Sequence, residues 1–342
     1  MKVALKKIIY FENSDKVFRD VLTPPAILYF EKEEHNTVDF STLRIENNEL
    51  SESNLRTYSF NSLNPNDKWK NYFLIKGDSF KKLTNFENYA RTKRGIATGA
   101  NDFFLLTEEE RLVHNINLRY VRKCITKSTY VNKMTFSSSD FELLKSMNKK
   151  VWLLYLNDYK PNSDKHIENY IQSGASLKIS EKHLPKNRKV WYHMENGNTA
   201  DLWIGTFSRN GIKFVVNEAQ ISNLTCFHSI IIKKQYKKYL YFFMGYFLST
   251  IAKNVLCLNT REHGNGLLKL EPNDINNSFL PRLDDFSSEE IHEVMNITVD
   301  IVKGDNKKKL DKLNSIFNEK LLDLDKSKSS SSFSSLQNQF LF

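Results

Sequence analysis

Residues 94–106, RGIATGANDFFLL, constrain the fold more than any other stretch. Gly95 and Gly99 stand four apart, with Ala97 and Thr98 between them, and Asn101 and Asp102 follow. Glycines so placed mark backbone that turns sharply or lets another backbone come close. The run 103–106, FFLL, is short, apolar and aromatic, and it predicts a strand. The basic segment 91–94, RTKR, precedes the first glycine and offers charge to phosphates. Strand, basic approach and glycine turn together describe a ligand-facing loop on a sheet. An ordinary turn between two strands carries the same letters, and isolated glycine patterns separate the two readings poorly.

Taken in order, the chain begins with two apolar runs, at 8–11 (IIYF) and 26–30 (AILYF). Continuous runs of this kind suit strands buried on both faces. Two strands make no stable sheet alone, so this part is the edge of something larger or packs on a later part of the chain. Residues 33–67 are polar and predict one short strand over 37–45 and then a linker. Phe80, Leu83, Phe86 and Tyr89 fall near helical spacing. Thr107 before three glutamates predicts a helix N-cap with an acidic first turn. Residues 119–128, RYVRKCITKS, alternate basic and apolar side chains. That suits a strand with one face toward phosphate, or a solvated sheet edge. A buried strand is expected at 151–156, and a helix at 166–172 that Gly174 ends. Arg188 ahead of Trp191 and Tyr192 can grip a phosphate and stack on a sugar or base, although a core role for one of the aromatics reads equally well. Residues 203–216 predict two strands around a turn at 209–211. Residues 236–259 predict one buried apolar helix, and 288–326 one or two charged helices broken at Gly304 and Asp305. The Ser-rich tail predicts disorder.

Composition narrows the class. The formal net charge of +10 points to a polyanionic partner, though charge speaks to steering rather than to fold. Three scattered cysteines, Cys124, Cys226 and Cys257, fit neither a disulfide framework nor a zinc site, and the histidines show no ligand spacing. No signal peptide is visible, and the apolar patch at 239–252 is shorter than the ~20 residues that cross a bilayer. The expected setting is cytoplasmic, without a membrane.

Residues 94–106 also resemble a signature of the target-recognition region in Taq-class, adenine-specific DNA methyltransferases of bacterial restriction–modification systems, approximately v-x-x-G-I-A-T-G-x-N-x-F-x-L. Further segments match that region in the same order. They are Tyr120 to Ser128 (similar to Y-x-x-x-x-I-K-S, with Thr126 between Ile125 and Lys127), the R-x-x-W-Y element at Arg188, Trp191 and Tyr192, and N-x-A at Asn217 and Ala219. Leu248 and Ser249 resemble L-x-S, and Arg261, Gly264, Gly266, Lys269, Pro272 and Asp274 follow R-x-x-G-x-G-x-x-K-x-x-P-x-D. One departure is Ala175, where the family has an acid after the glycine. Residues 8–32, through Ile8, Ile9, Phe11, Val17, Phe18, Asp20, Val21, Thr23, Ile27, Leu28 and Lys32, resemble the last strands of the family's catalytic domain.

The resemblance implies an α+β chain. Residues 1–48 would be the terminal strands of a methyltransferase-like catalytic domain, 68–282 the DNA target-recognition domain, 283–326 a C-terminal helical segment and 327–342 a disordered tail. It implies a partner in double-stranded DNA. Arg94, Lys127, Arg188, Arg261 and Lys269 would hold the backbone, and Thr98 and Asn101 would approach bases. Trp191, Tyr192 and Asn217 would also contact DNA, on loops shaped by Gly95, Gly99, Gly264 and Gly266. The catalytic N/D/S-P-P-Y/F motif is missing: LTPPA at 22–26 lacks the amide or acid and the aromatic, and NPND at 64–67 lacks the second proline. No glycine-rich loop for S-adenosylmethionine follows an N-terminal strand, and no metal-binding nuclease arrangement appears. The expectation is a chain inactive alone, with no cofactor or catalytic residue of its own, beside a catalytic methyltransferase or restriction polypeptide that binds S-adenosylmethionine. The alternative is a self-sufficient methyltransferase or restriction enzyme with degenerate motifs.

Overall fold

The computed structural model describes residues 4–11, 25–33, 35–46, 49–65, 69, 72–73, 82–195, 197, 199–208, 211–263, 267–304 and 307–321. Val17, Phe18, Asp20, Val21, Thr23, Phe80, Arg209, Gly264, Gly266, Asp305 and the Ser-rich tail lie outside the described residues, as do most of LTPPA and the last two residues of NPND. Helices and strands are mixed throughout, as an α+β reading requires.

The strands Ala4–Phe11 and Ala26–Glu31 form as expected and pair antiparallel. They belong to a sheet of four, completed by Thr37–Glu46, parallel to the first strand, and Glu49–Ser59, antiparallel to the third. The fourth strand corrects the linker reading of 49–59. That stretch has no apolar period; its ladder to Thr37–Glu46 and the packing of Tyr58 edge-on to Phe40, 5.4 Å between centroids, hold it extended. Ile8, Val38, Phe40 and Phe73 make a small core of their own. The expectation of strands buried on both faces fails for Ala26–Glu31. It is the outermost strand, and Ile27, Leu28, Tyr29 and Phe30 are all about half exposed.

Leu83, Phe86 and Tyr89 are buried, but not on a helix. Leu83–Asn85 is a strand paired with Phe279–Pro281, Phe86–Asn88 is a single 3-10 turn, and Ala90–Arg94 is a strand. The turn repeats every three residues, which imitates helical spacing in the sequence. Ala90–Arg94 lies at the edge of a second four-stranded sheet, beside Phe227–Ile232, Leu202–Gly205 and Phe214–Val216. Its outer edge is closed by Asn276, which accepts from Thr92 N–H at 2.7 Å and donates to Thr92 C=O at 3.1 Å.

This second sheet is buried on both faces, and alternate residues enter different cores. Leu202, Ile204, Phe214, Val216, Ile230 and Ile232 meet the helices Leu240–Leu248, Thr250–Asn259, Ser288–Lys303 and Lys307–Leu321. Trp203, Val215 and Phe227 point the other way, into a core shared with a third sheet. That sheet runs Ser222–Asn223, Val121–Ile125, Trp152–Leu154, Leu105–Leu106. The basic–apolar stretch at 121–125 is therefore an inner strand, not a sheet edge.

The predicted helix over 236–259 is broken. Lys234–Tyr239 is 3-10, and the helical pieces on either side of Ser249 meet at 76°. Ser249 is extended, its hydroxyl donates to Tyr246 C=O at 2.7 Å, and it accepts from Ala252 N–H at 3.2 Å, capping the second piece. Among the described residues, no single helix is long and apolar enough to cross a membrane. Gly304, at φ +116°, ends Ser288–Lys303 in the left-handed conformation a glycine C-cap supplies.

Candidate nucleic-acid interface

The glycine loop leaves the edge strand Ala90–Arg94 and runs directly beside residues 223–224. Ile96 N–H donates to Asn223 C=O at 2.9 Å, and Ile96 bridges Leu224 in parallel. A Cβ on Gly95 would lie 2.2 Å from Leu224 O, so only glycine allows this approach. Gly99 has φ +75°, which a side chain would strain. The predicted FFLL strand is half right. Asn101–Phe104 is a helical turn and only Leu105–Leu106 is extended, because Ala100 C=O accepts from both Phe103 and Phe104 N–H at 3.1 and 3.0 Å.

Two expected DNA contacts turn inward here. Thr98 is 2% exposed; its hydroxyl donates to Asn101 Oδ1 at 2.5 Å and accepts from Ala100 N–H. It shapes the loop and has no surface to offer a base. Arg188 donates to Ala97 C=O at 2.8 Å and Thr98 C=O at 2.9 Å, with its guanidinium 5.5 Å from the Phe104 ring centroid. Its guanidinium clamps the loop, and burial pulls its pKa below the ordinary arginine value, opposed by Glu195. Trp191 and Tyr192 are both half-buried and both pack against the core, Trp191 on Phe103 and Phe104 and Tyr192 on Tyr159 and edge-on to Trp191. Gly174 does not end its helix, which runs Lys165–Ser176. A Cβ there would lie 2.5 Å from the Phe103 ring and 2.7 Å from Trp191, so the glycine makes room for those rings.

Asn217 is also structural. It is wholly buried, donates to Ala200 C=O and Ile221 C=O at 2.8 and 2.9 Å, and accepts from Ile221 N–H. Lys269 pairs with Glu271 at 2.8 Å, which lowers the glutamate's pKa. Arg261 lies on a strand paired with Leu267–Lys269, and its side chain is outside the described set. Asn101 is exposed at the head of its turn, and Lys127 is exposed beside Tyr130.

Arg94 is a predicted residue that an anion can reach and that also lines a recess. It is exposed, forms no ion pair or side-chain hydrogen bond among the described residues, and lines a recess of about 220 Å³ with Lys93, Gly95, Ile96, Asn223 and Ser229. A second recess, about 310 Å³, is lined by Arg122, Lys123, Gln220, Ile221 and Ser222. Both are lined by Gly197, and Ser222 and Asn223 are consecutive, so the two recesses adjoin and together are termed the groove. Lys93, Arg94 and Arg122 carry charge along it that is unpaired among the described residues, and Lys123 reaches Glu142 only at 3.4 Å. Glu195 is the single acid among the described residues of its lining. Lys93 belongs to the RTKR signal, and Arg122 and Lys123 to the alternating basic strand, so charge pattern could have found them. Gln220 and Asn223 gave no signal; they reach the groove because Ser222–Asn223 adds in parallel to Val121–Ile125.

His228, paired with Arg94 across the ladder, lies beneath the first recess. Its Nε2 bonds Leu270 C=O at 2.8 Å, and Nδ1 has no partner among the described residues. Burial, with Arg94 nearby, pulls its pKa below the usual histidine value.

The family model described as type II methyltransferase M.Eco57I, C-terminal domain, matches residues 66–322, and the chain belongs to that family. The type II methyltransferase M.AccI of Acinetobacter calcoaceticus is 34% identical over 308 residues, covering 86% of this chain and 56% of the relative. The chain thus spans about half the length of the curated relative it matches. Among solved structures, the type IIL restriction-modification enzyme MmeI in complex with DNA aligns with TM-score 0.52 at 13% identity, over 99% of this chain and 45% of that one. The type IIG restriction endonuclease BpuSI aligns with TM-score 0.45 at 10% identity, over 93% and 44%.

Proposed function

We propose that this chain recognises a short sequence in duplex DNA, as the target-recognition part of a Taq-class, adenine-specific methyltransferase of a restriction–modification system. Methyl transfer would be carried by a part outside these 342 residues. The observation that carries the reading is the groove: Lys93, Arg94 and Arg122, unpaired among the described residues, line two adjoining recesses beside the glycine loop. Cations on rigid strands fix a duplex by its phosphates, and neighbouring side chains then reach base edges. Membership of the type II methyltransferase C-terminal family supplies the enzyme context.

Among the described residues, no glycine turn after an N-terminal strand offers S-adenosylmethionine a site, so the reading assigns that cofactor to the other part. A cofactor turn needs glycine backbone open to a ligand, yet the first glycine is Gly77, beyond the whole N-terminal sheet. The crowded glycines Gly95, Gly99, Gly174, Gly197 and Gly245 face the protein's own atoms. The apolar edge strand Ala26–Glu31 offers the natural seam for the missing part, since another strand laid along it would cover Ile27 to Phe30. Transfer of label from S-adenosylmethionine to DNA tests the reading. The chain alone should transfer none, and a mixture with a polypeptide supplying the catalytic motifs should methylate adenine. Transfer by the chain alone contradicts it.

A further inference from the structure

We infer that Arg122 and Gln220 contact base edges of the bound duplex, while Lys93 and Arg94 hold its backbone. The inference rests on the DNA-recognition reading above and assigns the work within that site.

Arg122 sits on the inner strand Val121–Ile125, opposite Leu153. Its guanidinium lies 3.2 Å from the centroid of the buried Tyr155 ring and makes no hydrogen bond or ion pair among the described residues. A guanidinium stacked on a fixed ring keeps its planar fork oriented and its N–H edge free. That fork matches the two acceptors of guanine in the major groove. A cation serving only as a point charge needs no such support, and Lys93, on the outer strand, has none among the described residues.

Gln220 faces the second recess, as Arg122 does. Its φ is +50°, a conformation few non-glycine residues hold. Two bonds to one carbonyl keep it there: Gln220 N–H and Nε2 donate to Asn217 C=O at 3.2 and 2.9 Å. The buried Asn217 amide anchors that carbonyl's residue in turn. Backbone strain kept by surrounding structure marks positions where a side chain must be aimed. The second Nε2 proton and Oε1 remain without partners among the described residues. They are the donor and acceptor a glutamine presents to adenine.

The test is selection from randomised duplexes, with affinity measured against salt, using the full chain and the variants Arg122→Gln, Gln220→Asn and Lys93→Gln. Asparagine tolerates positive φ and keeps the backbone bond to Asn217 C=O, so the second variant withdraws the amide while the turn retains its main-chain support; equal thermal midpoints check folding. Arg122→Gln and Gln220→Asn should each relax preference at one base pair by roughly 5- to 150-fold, with the salt slope unchanged. Lys93→Gln should keep the preference and make the slope shallower by about 0.9. If Arg122→Gln weakens all sequences alike and lowers the slope, Arg122 is a phosphate contact and the inference fails. If both recess variants keep the wild-type preference, it fails while DNA recognition stands. If the wild-type chain shows no salt-dependent binding, the recognition reading falls and the inference with it.

Discussion

Arg188 shows how a basic residue beside aromatics can be absorbed by the fold. Its guanidinium spans the carbonyls of Ala97 and Thr98, two residues of the loop that borders the groove. Hydrogen bonds from a charged donor are each worth about 1.5–3 kcal/mol, and removing the donor strands two acceptors. Arg188→Ala should therefore lower unfolding free energy by about 2 kcal/mol in urea titration, with the salt slope of DNA binding unchanged. Arg188→Lys, which lacks the second nitrogen that donates to Trp191 C=O and the planar group beside the Phe104 ring, should recover only part. A phosphate contact would show the reverse, full stability and a slope lower by about one. His228 gives a pH signature. Its folded pKa is depressed by burial, so between that value and the ordinary value of about 6.5 the unfolded chain binds a proton that the folded chain refuses. Stability contributed by the neutral ring is complete above about pH 6.5 and is lost as pH falls through it. Urea midpoints should fall more steeply on acidification for the wild type than for His228→Gln; equal slopes would show that the ring's burial does not set the acid limit.

At the level of elements, spacing found what local chemistry dictates and missed what neighbours impose. The Thr107 capping box, the strands at 4–11 and 26–31 and the pair of C-terminal helices broken at Gly304 are local facts, and they were legible. The strand Glu49–Ser59 was not, since its support is a ladder to another strand rather than an apolar period. Ser249 reads as one small residue in an apolar run, yet it divides the run into two helical pieces. Its hydroxyl is buried and both donates and accepts, so Ser249→Ala should cost about 1 kcal/mol, the usual loss for an N-cap. A thermal midpoint equal to the wild type would show that the bend is set by packing alone.

For the whole molecule, the basic groove was half legible. Charge pattern marked the segments that supply Lys93, Arg94, Arg122 and Lys123, while Thr98, Arg188 and Asn217 carried motif signals but serve the scaffold. Sequence spacing cannot tell a conformation-holding donor from a ligand-holding one; burial and partners can. Two sheets adjoin so that an edge strand of one, an inner strand of the other and the segment 220–223 come together. If the groove carries duplex DNA, its charge must appear in the salt dependence of binding. The decisive comparison is duplex affinity across salt for the wild-type chain and for Lys93→Ala combined with Arg94→Ala. A DNA-bearing groove requires steep salt dependence in the wild type and a slope shallower by about two in the double variant. Salt-independent binding, or a slope that the double variant leaves unchanged, would contradict it.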